Sequence, residues 1–414
     1  MKAILRFALV VAAILALAGC YYTPPAGNVA RASLVPKYVP AGLVSIAVVV
    51  TGPGMAPIIQ QINLSSSEVT LEIPSGANRT ISLLLNTVSA TLIGEATVDL
   101  QPGEARDLLL DPVLADTQIV LPDYLNNRIV QYADIQGTGV LTLVGSGIAG
   151  IGLLDARFRP YDVDFDRQGR MYIGNSVGGS GMGDNCVIRV NDVTGAGGLK
   201  FTEPEYDYGI VAVTVDRVRD LVYYAASATL TPPRKIYRAN LDGSGAVSRD
   251  VTVGVEAVQT IQGMAVDEAG QILIAGKNAG GVNRVFRYDP VGQTVLAVYG
   301  ANLNEPWDVL VKSPYLYVAN RLGAAGFKVL RLNSDFSSPV GYGLDASTAN
   351  TNPGYFYGPS RFVAILSRKI TLIDDRDLDN LDKVVSMEDI AGTDWATLPA
   401  SGDGQSLFRF YFMC

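Results

Sequence analysis

Five short groups of residues carry most of the chemistry this sequence offers. Tyr161-Asp162 and Trp307-Asp308 each set an aromatic ring beside a carboxylate. Such a pairing can grip a sugar, a cation or a peptide. Asp375, Asp377 and Asp379 alternate along an acidic stretch, offering hard oxygen ligands of the kind calcium takes. Against an EF-hand loop starting at Asp375, the third and fifth positions are met, but Asn380 replaces the glycine and Ser386 the closing glutamate. A solvated acidic loop is the competing reading. Gly174-Asn175-Ser176-Val177-Gly178 has the spacing of a nucleophile elbow, and Gly145-Ser146-Gly147-Ile148-Ala149-Gly150 that of a dinucleotide fingerprint.

Composition removes most of these options. The chain has no histidine, so Ser-His-Asp and Cys-His catalysis and His-ligated zinc lack their imidazole. Ser176 has no usual base and sits in a strand-to-loop context, so it reads as a loop residue. The glycine-rich run binds a pyrophosphate only if a helix N-terminus follows it, and residues 151–160 lead towards another strand.

Cys20 has a different chemistry. Lys2 and Arg6 precede an apolar run from Phe7 to Leu17, which ends in Leu17-Ala18-Gly19-Cys20. The run is short for a membrane span, which needs roughly 20 apolar residues, and has the features of a secretory signal peptide. Its ending resembles the lipobox of bacterial lipoproteins. That resemblance implies residues 1–19 as a cleaved signal, a lipid on the Cys20 thiol and an extracytoplasmic chain held on a membrane by acyl chains. Tyr21 after the cysteine resembles the outer-membrane default in a two-membrane bacterium. Residues 20–40, with Pro24, Pro25, Pro36 and Pro40, read as an extended linker. Loss of Lys2 and Arg6 leaves 30 of the 32 basic residues against 40 acidic ones, a net charge near −10. This balance argues against nucleic acid as a partner and against electrostatic adhesion to anionic lipid. Cys186 and Cys414 remain; an exported chain permits a disulfide between them, and two separate thiols fit equally well.

The elements that must position these residues are strands. Glycine is abundant, at 43 residues, and Val, Ile, Leu, Thr and Tyr dominate the apolar segments, so the fold class is all-β. Residues 41–104 carry short strand patterns at Leu43–Thr51, Glu68–Ile73, Thr80–Leu85 and Glu95–Leu100 between turn signals. They predict a small immunoglobulin- or fibronectin-like β-sandwich, acting as a spacer or, alternatively, as a binding module.

Residues 105–414 repeat. An apolar strand ends at an anchor, a turn follows, and a second apolar strand begins. The anchors Asp111, Asp166, Asp216, Asp267, Lys312 and Ser367 are separated by 55, 50, 51, 45 and 55 residues. A third strand carries a basic residue near its centre, as in Arg128, Arg189, Arg238, Arg287 and Arg331. A period near 50 suits a four-stranded propeller blade. The Val-Asp, turn, apolar-Tyr-apolar and Asn-Arg-Ile pattern resembles NHL-repeat propellers, over about 300 residues, with blades five and six departing at Lys312 and Ser367. This predicts a six-bladed ring. Segment 129–138 is echoed at 384–393, as suits a closed ring in which Leu407 to Phe412 complete a sheet.

In such a ring the inner strands start near one mouth. Counting five back from each anchor gives Arg106, Tyr161, Val211, Gln262, Trp307 and Phe362; four back gives Asp162 and Asp308 among others. The candidate ligand residues are therefore Arg106, Tyr161, Asp162, Gln262, Trp307 and Asp308. The alternative is that the Asp residues bond backbone amides while the aromatics pack between blades. The expected function is a non-catalytic envelope lipoprotein binding or scaffolding a protein or carbohydrate partner. No cofactor is required by that reading. The rival is a calcium-dependent hydrolase or lyase, similar to lactonase-type propellers, with carboxylate ligands in the channel.

Overall fold

The structure, a computed structural model, describes residues 28–36, 43–55, 57–62, 69–87, 91–110, 112–114, 119–132, 140–166, 168–177, 184–201, 209–226, 235–251, 257–312, 314–322, 327–345, 355–356, 359–362, 370–374, 383–387 and 396–398. The chain divides into two compact units, residues 1–118 with 167–169, and residues 119–166 with 170–414.

The first unit holds two sheets. In one, Val29–Pro36 lies between Val69–Pro74, antiparallel, and Ala105–Leu110, parallel. The other runs Ile58–Ile62, Leu43–Thr51, Gly76–Thr87, Thr91–Leu100 and Val113–Leu114. Period-two alternation makes each sheet one-sided: Ala30, Ala32, Leu34, Leu71 and Ile73 are buried from one, Val48, Val50, Ile81, Leu83 and Leu85 from the other. This is a β-sandwich. Residues 29–36, expected as linker, are instead a packed central strand. The alternating Ala30, Ala32 and Leu34 carry it, and Pro36 falls at its end, where a missing N–H does least harm. Buried Arg79 pins the turns, donating from Nε to Pro74 O (3.0 Å), from one terminal nitrogen to Pro53 O (2.8 Å) and from the other to Ser75 O (2.7 Å).

The second unit is a β-propeller. Among the described residues it comprises six successive sheets, with a small parallel pair, Leu344–Asp345 and Tyr355–Phe356, beside them. Blade 2 is Pro160–Phe165, Met171–Asn175, Cys186–Val190 and Leu199–Lys200, an antiparallel meander from the inner strand outwards. Blades 3 to 6 repeat this order, with inner strands Ile210–Asp216, Val258–Val266, Pro306–Lys312 and Pro359–Phe362. Blade 1 has three described strands, Ile119–Asp123, Arg128–Tyr132 and Leu141–Val144. The inner strands from Pro160–Phe165 to Pro359–Phe362 neighbour one another in sequence order. The core lies between blades. Tyr172 and Val187 of blade 2 pack on Val213 and Val215 of blade 3, and Ile261 and Met264 of blade 4 on Tyr223 and Ile236 of blade 3.

Two expected blade boundaries change. Leu108–Leu110, expected as the inner strand of blade 1, belongs to the sandwich, paired in parallel with Leu34–Pro36. In blade 6 the inner strand is Pro359–Phe362, upstream of the expected Ala364–Ser367, which lies outside the described residues.

The anchor aspartates close the hairpins between inner and second strands. Asp166 accepts the N–H of Arg170 (2.9 Å) and the Arg170 Nε–H (2.6 Å), Asp216 the N–H groups of Val218 and Arg219 (2.9 Å each), and Asp267 that of Gln271 (2.9 Å). Each turn needs a left-handed residue before the second strand, supplied by Gly169 (φ 75°), Asp220 (φ 56°) and Gly270 (φ 82°).

Candidate functional site at the start of the inner strands

Every inner strand of blades 2 to 6 is bulged near its start. The register skips one residue between Pro160 and Asp162, Ile210 and Ala212, Ile261 and Gly263, Pro306 and Asp308, and Pro359 and Arg361. The extra residues are Tyr161, Val211, Gln262, Trp307 and Ser360. A bulge re-aims the side chain it carries, and bulges gather at barrel rims. Four of these five positions are those counted back from the anchors. In blade 6 the position falls on Ser360 rather than Phe362. Arg106 is not among them: it lies in the sandwich, opposite Ala32, with Nη1 donating to Asp99 O (3.3 Å).

In blades 2 and 5 the residue after the bulge ties its blade to the next. Asp162 accepts the N–H of Val163 (3.0 Å) on Oδ1 and that of Val213, in blade 3, on Oδ2 (2.8 Å). Asp308 repeats this with Val309 on Oδ1 (2.8 Å) and Phe362, in blade 6, on Oδ2 (2.9 Å). Gly263, the corresponding residue in blade 4, lies so close to Asp308 that an added Cβ would meet its carboxylate. Two residues on, Asp164 accepts the N–H of Val215 (2.8 Å) and pairs with Arg217 of blade 3.

The aromatic residues have unequal surroundings. Half-buried Tyr161 meets Tyr124, from the second turn of blade 1, edge-on with ring centroids 5.7 Å apart, and the Arg159 guanidinium lies 5.7 Å from the Tyr124 ring centre. Gln262 is half-buried on blade 4. Trp307 is only 6% exposed, with Arg321 5.0 Å above its ring and Arg321 paired to Glu305 at 3.3 Å. Of the predicted ligand residues on the inner strands, Tyr161 and Gln262 are thus the more open.

Asn175 and Asn320, to which the sequence assigned no role, fix this mouth. Asn175 Oδ1 accepts the N–H of Arg159 (2.6 Å) while Nδ2 donates to Arg157 O (2.9 Å) and Asp184 O (2.5 Å). Asn320 accepts from Asn304 N–H (2.8 Å) and donates to Asn302 O (2.9 Å) and Phe327 O (2.8 Å). Each joins the end of a second strand to the loop entering its own inner strand. Nearby, Asp184 binds Lys200 Nζ (2.8 Å) and Arg157 Nη1 (2.9 Å).

The other motifs resolve simply. Gly145–Gly147 is a single 3-10 turn leading into extended backbone, with no α-helix for a pyrophosphate. Ser176 continues from the second strand into a loop, its N–H donating to Arg159 O (2.9 Å). Cys186 is buried, and burial pushes its thiol up to about 12. Cys20, Cys414 and the candidate calcium ligands Asp375, Asp377 and Asp379 lie outside the described residues.

Strand order, bulges and inter-blade cores define an all-β protein with a β-sandwich unit and a β-propeller unit. No protein-family model matches the sequence, and no curated protein matches it. Similar solved structures include TolB from Acinetobacter baumannii, 12% identical with TM-score 0.45, covering 80% of this chain and 78% of that one. The extracellular domain of BT4673 from B. thetaiotaomicron is 12% identical with TM-score 0.41; the match covers 78% of this chain and 42% of that one. Puromycin hydrolase is 12% identical with TM-score 0.39, over 79% of this chain and 53% of that one. No helix among the described residues is long and apolar enough to cross a membrane.

Proposed function

We propose that this chain is a lipid-anchored, non-catalytic protein of the bacterial cell envelope, whose NHL-like propeller takes a protein or glycan partner at the mouth where the inner strands begin. The observation that carries the reading is the engagement of Asp162 and Asp308. Both oxygens of each carboxylate accept backbone N–H groups, one of them from the next blade. A cation bound there would have to displace these bonds. The half-buried Tyr161, Tyr124, Gln262 and Arg159 offer stacking faces and hydrogen-bonding groups without a nucleophile and base. The anchor is supplied by the Leu17-Ala18-Gly19-Cys20 ending, so Cys20→Ala should leave the protein unlipidated and released from membranes.

The test uses the full chain in detergent as bait against an envelope extract and a glycan panel. A partner retained by the parent and lost with Tyr161→Ala plus Gln262→Ala is the expected result. Capture indifferent to both substitutions would move the site elsewhere. A large thermal shift between calcium and chelator, abolished by Asp162→Ala or Asp308→Ala, would instead favour a calcium-dependent hydrolase or lyase.

A further inference from the structure

Blades 2 and 5 are built alike at this mouth, but the charges they carry there differ. The residue before the proline that opens each inner strand is Arg159 in blade 2 and Glu305 in blade 5. Both are held the same way: Arg159 O accepts the Ser176 N–H (2.9 Å), and Glu305 O accepts the Arg321 N–H (3.0 Å). Blade 5 completes its own ion pair, Glu305 with Arg321, and the Arg321 guanidinium lies over the buried Trp307 ring. In blade 2 the place of Arg321 is taken by uncharged Ser176, and the guanidinium comes from Arg159 instead. It lies 5.7 Å from the centre of the half-buried Tyr124 ring, which is itself edge-on to Tyr161 at the bulge. Among the described residues at this mouth, Arg128, Arg157 and Arg321 are paired with Asp123, Asp184 and Glu305, whereas the Arg159 side chain has the Tyr124 ring and no carboxylate. Blade 2 thus holds the aromatic and cationic parts of the arrangement that blade 5 completes internally with an acid.

Resting on the reading of this mouth as a partner site, and naming the chemistry of that partner, we propose that blade 2 takes an acidic glycan. Arg159 holds a uronate carboxylate, for which the rigid fork of a guanidinium is matched, while the C–H face of the sugar ring lies on Tyr124 or Tyr161. A sugar acid suits the site better than an acidic peptide because the main chain here is already committed. The Arg159 N–H and Arg157 O are bonded to Asn175, and Arg159 O to Ser176. A peptide backbone crossing the site would find these groups used, whereas a sugar is gripped by rings and side-chain donors.

The test is calorimetry of the full chain in detergent with oligomers of galacturonate, glucuronate and mannuronate, their methyl esters, and polyglutamate. At least one uronate oligomer should bind, and its ester should bind roughly 10- to 100-fold more weakly, as should the acid form to Arg159→Gln. Ser176→Glu, which rebuilds the blade 5 pair with its charges exchanged, should block the acid form while keeping the parent's thermal midpoint. The ester comparison uses the parent chain, so it reads out even where a variant misfolds. No binding of any uronate, equal binding of acid and ester, or binding unchanged in both variants would overturn the proposal. Polyglutamate bound in place of the uronates, and lost with Arg159→Gln, would overturn it in favour of an acidic protein. The mouth as a partner site is decided separately, by whether the captured partner is lost with Tyr161→Ala plus Gln262→Ala.

Discussion

Asp162 and Asp308 hold the same place in blades three apart, and each reaches from its own inner strand to the main chain of the next. Asp162 takes the Val213 N–H at 2.8 Å and Asp308 that of Phe362 at 2.9 Å, two residues beyond the bulges at Val211 and Ser360. The matching Asn175 and Asn320 latches make blades 2 and 5 alike at the same mouth. These residues fix the rim by bonds to backbone, leaving the bulge side chains to vary.

Removing one acceptor from such a staple should weaken the propeller. Asp308→Asn keeps the size but leaves one oxygen for two N–H donors and sets an NH₂ against the other. A hydrogen bond to a charged group contributes roughly 1.5–3 kcal/mol. Asp162→Asn and Asp308→Asn should each destabilise by about that much, and the double variant by about the sum, since the two carboxylates staple different pairs of blades through different backbone donors. Denaturant unfolding of each variant measures this; an unchanged midpoint in both single variants would remove the staple role.

Asn175 should tolerate Asp worse than Ala. Its Nδ2 donates to two carbonyls, and a carboxylate there would face both oxygens without a proton to share. Leaving buried groups unsatisfied costs about 1–3 kcal/mol, and more for a charge. Asn175→Asp should therefore unfold at a lower temperature than Asn175→Ala at neutral pH and recover part of the loss as the carboxyl protonates. The reverse order would refute the latch as drawn.

Acid should loosen the fold through Asp184. Partial burial works to raise its pKa, but the bonds from Lys200 and Arg157 outweigh this and hold the carboxyl below its usual range. Asp155, bonded to Ser146, and Asp242 and Asp335, bonded to Ser244 and Ser337, are lowered too. A carboxyl lowered by folding contributes stability present above its unfolded pKa of about 3.9 and lost as pH falls through the folded value. Asp123 runs the other way. Burial raises its pKa despite Arg128, so its contribution is complete below the unfolded value and lost as pH rises through the folded one. Thermal midpoints should fall as pH drops below about 4, and less steeply in Asp184→Asn. A slope identical to the parent's would show that Asp184 is not among the groups responsible.

The propeller was legible because its repeat is local. Asp166, Asp216 and Asp267 cap hairpins of similar length, so counting back from them reaches the bulges at Tyr161, Val211 and Gln262. Leu108-Leu109-Leu110-Asp111 has the same local look, but its partner strand, Val29–Pro36, is remote in sequence and no local pattern reveals it. That strand was itself obscured because the prolines around it read as linker. Asn175 and Asn320 were missed for a related reason: asparagine at a strand end reads as a turn residue, and its bonds to an entering loop appear only in three dimensions.

Tyr161 and Trp307 occupy equivalent bulges yet should respond differently to truncation. Trp307 is 6% exposed beneath Arg321, whose guanidinium is held by Glu305. Trp307→Ala would leave a cavity and uncover a buried arginine, and large-to-small changes of this kind cost about 3–5 kcal/mol. Tyr161 is half-buried and meets Tyr124 edge-on, a contact contributing about 0.5–1.5 kcal/mol beyond area burial. Trp307→Ala should therefore show a large fall in thermal midpoint, whereas Tyr161→Ala should show a small one together with loss of the captured partner. Trp307→Phe separates the two effects, because it refills most of the space: its stability should return while binding stays at the parent level. A Trp307→Phe variant that is fully stable but no longer binds would instead place the indole in contact with the ligand and shift the site from blade 2 towards blade 5.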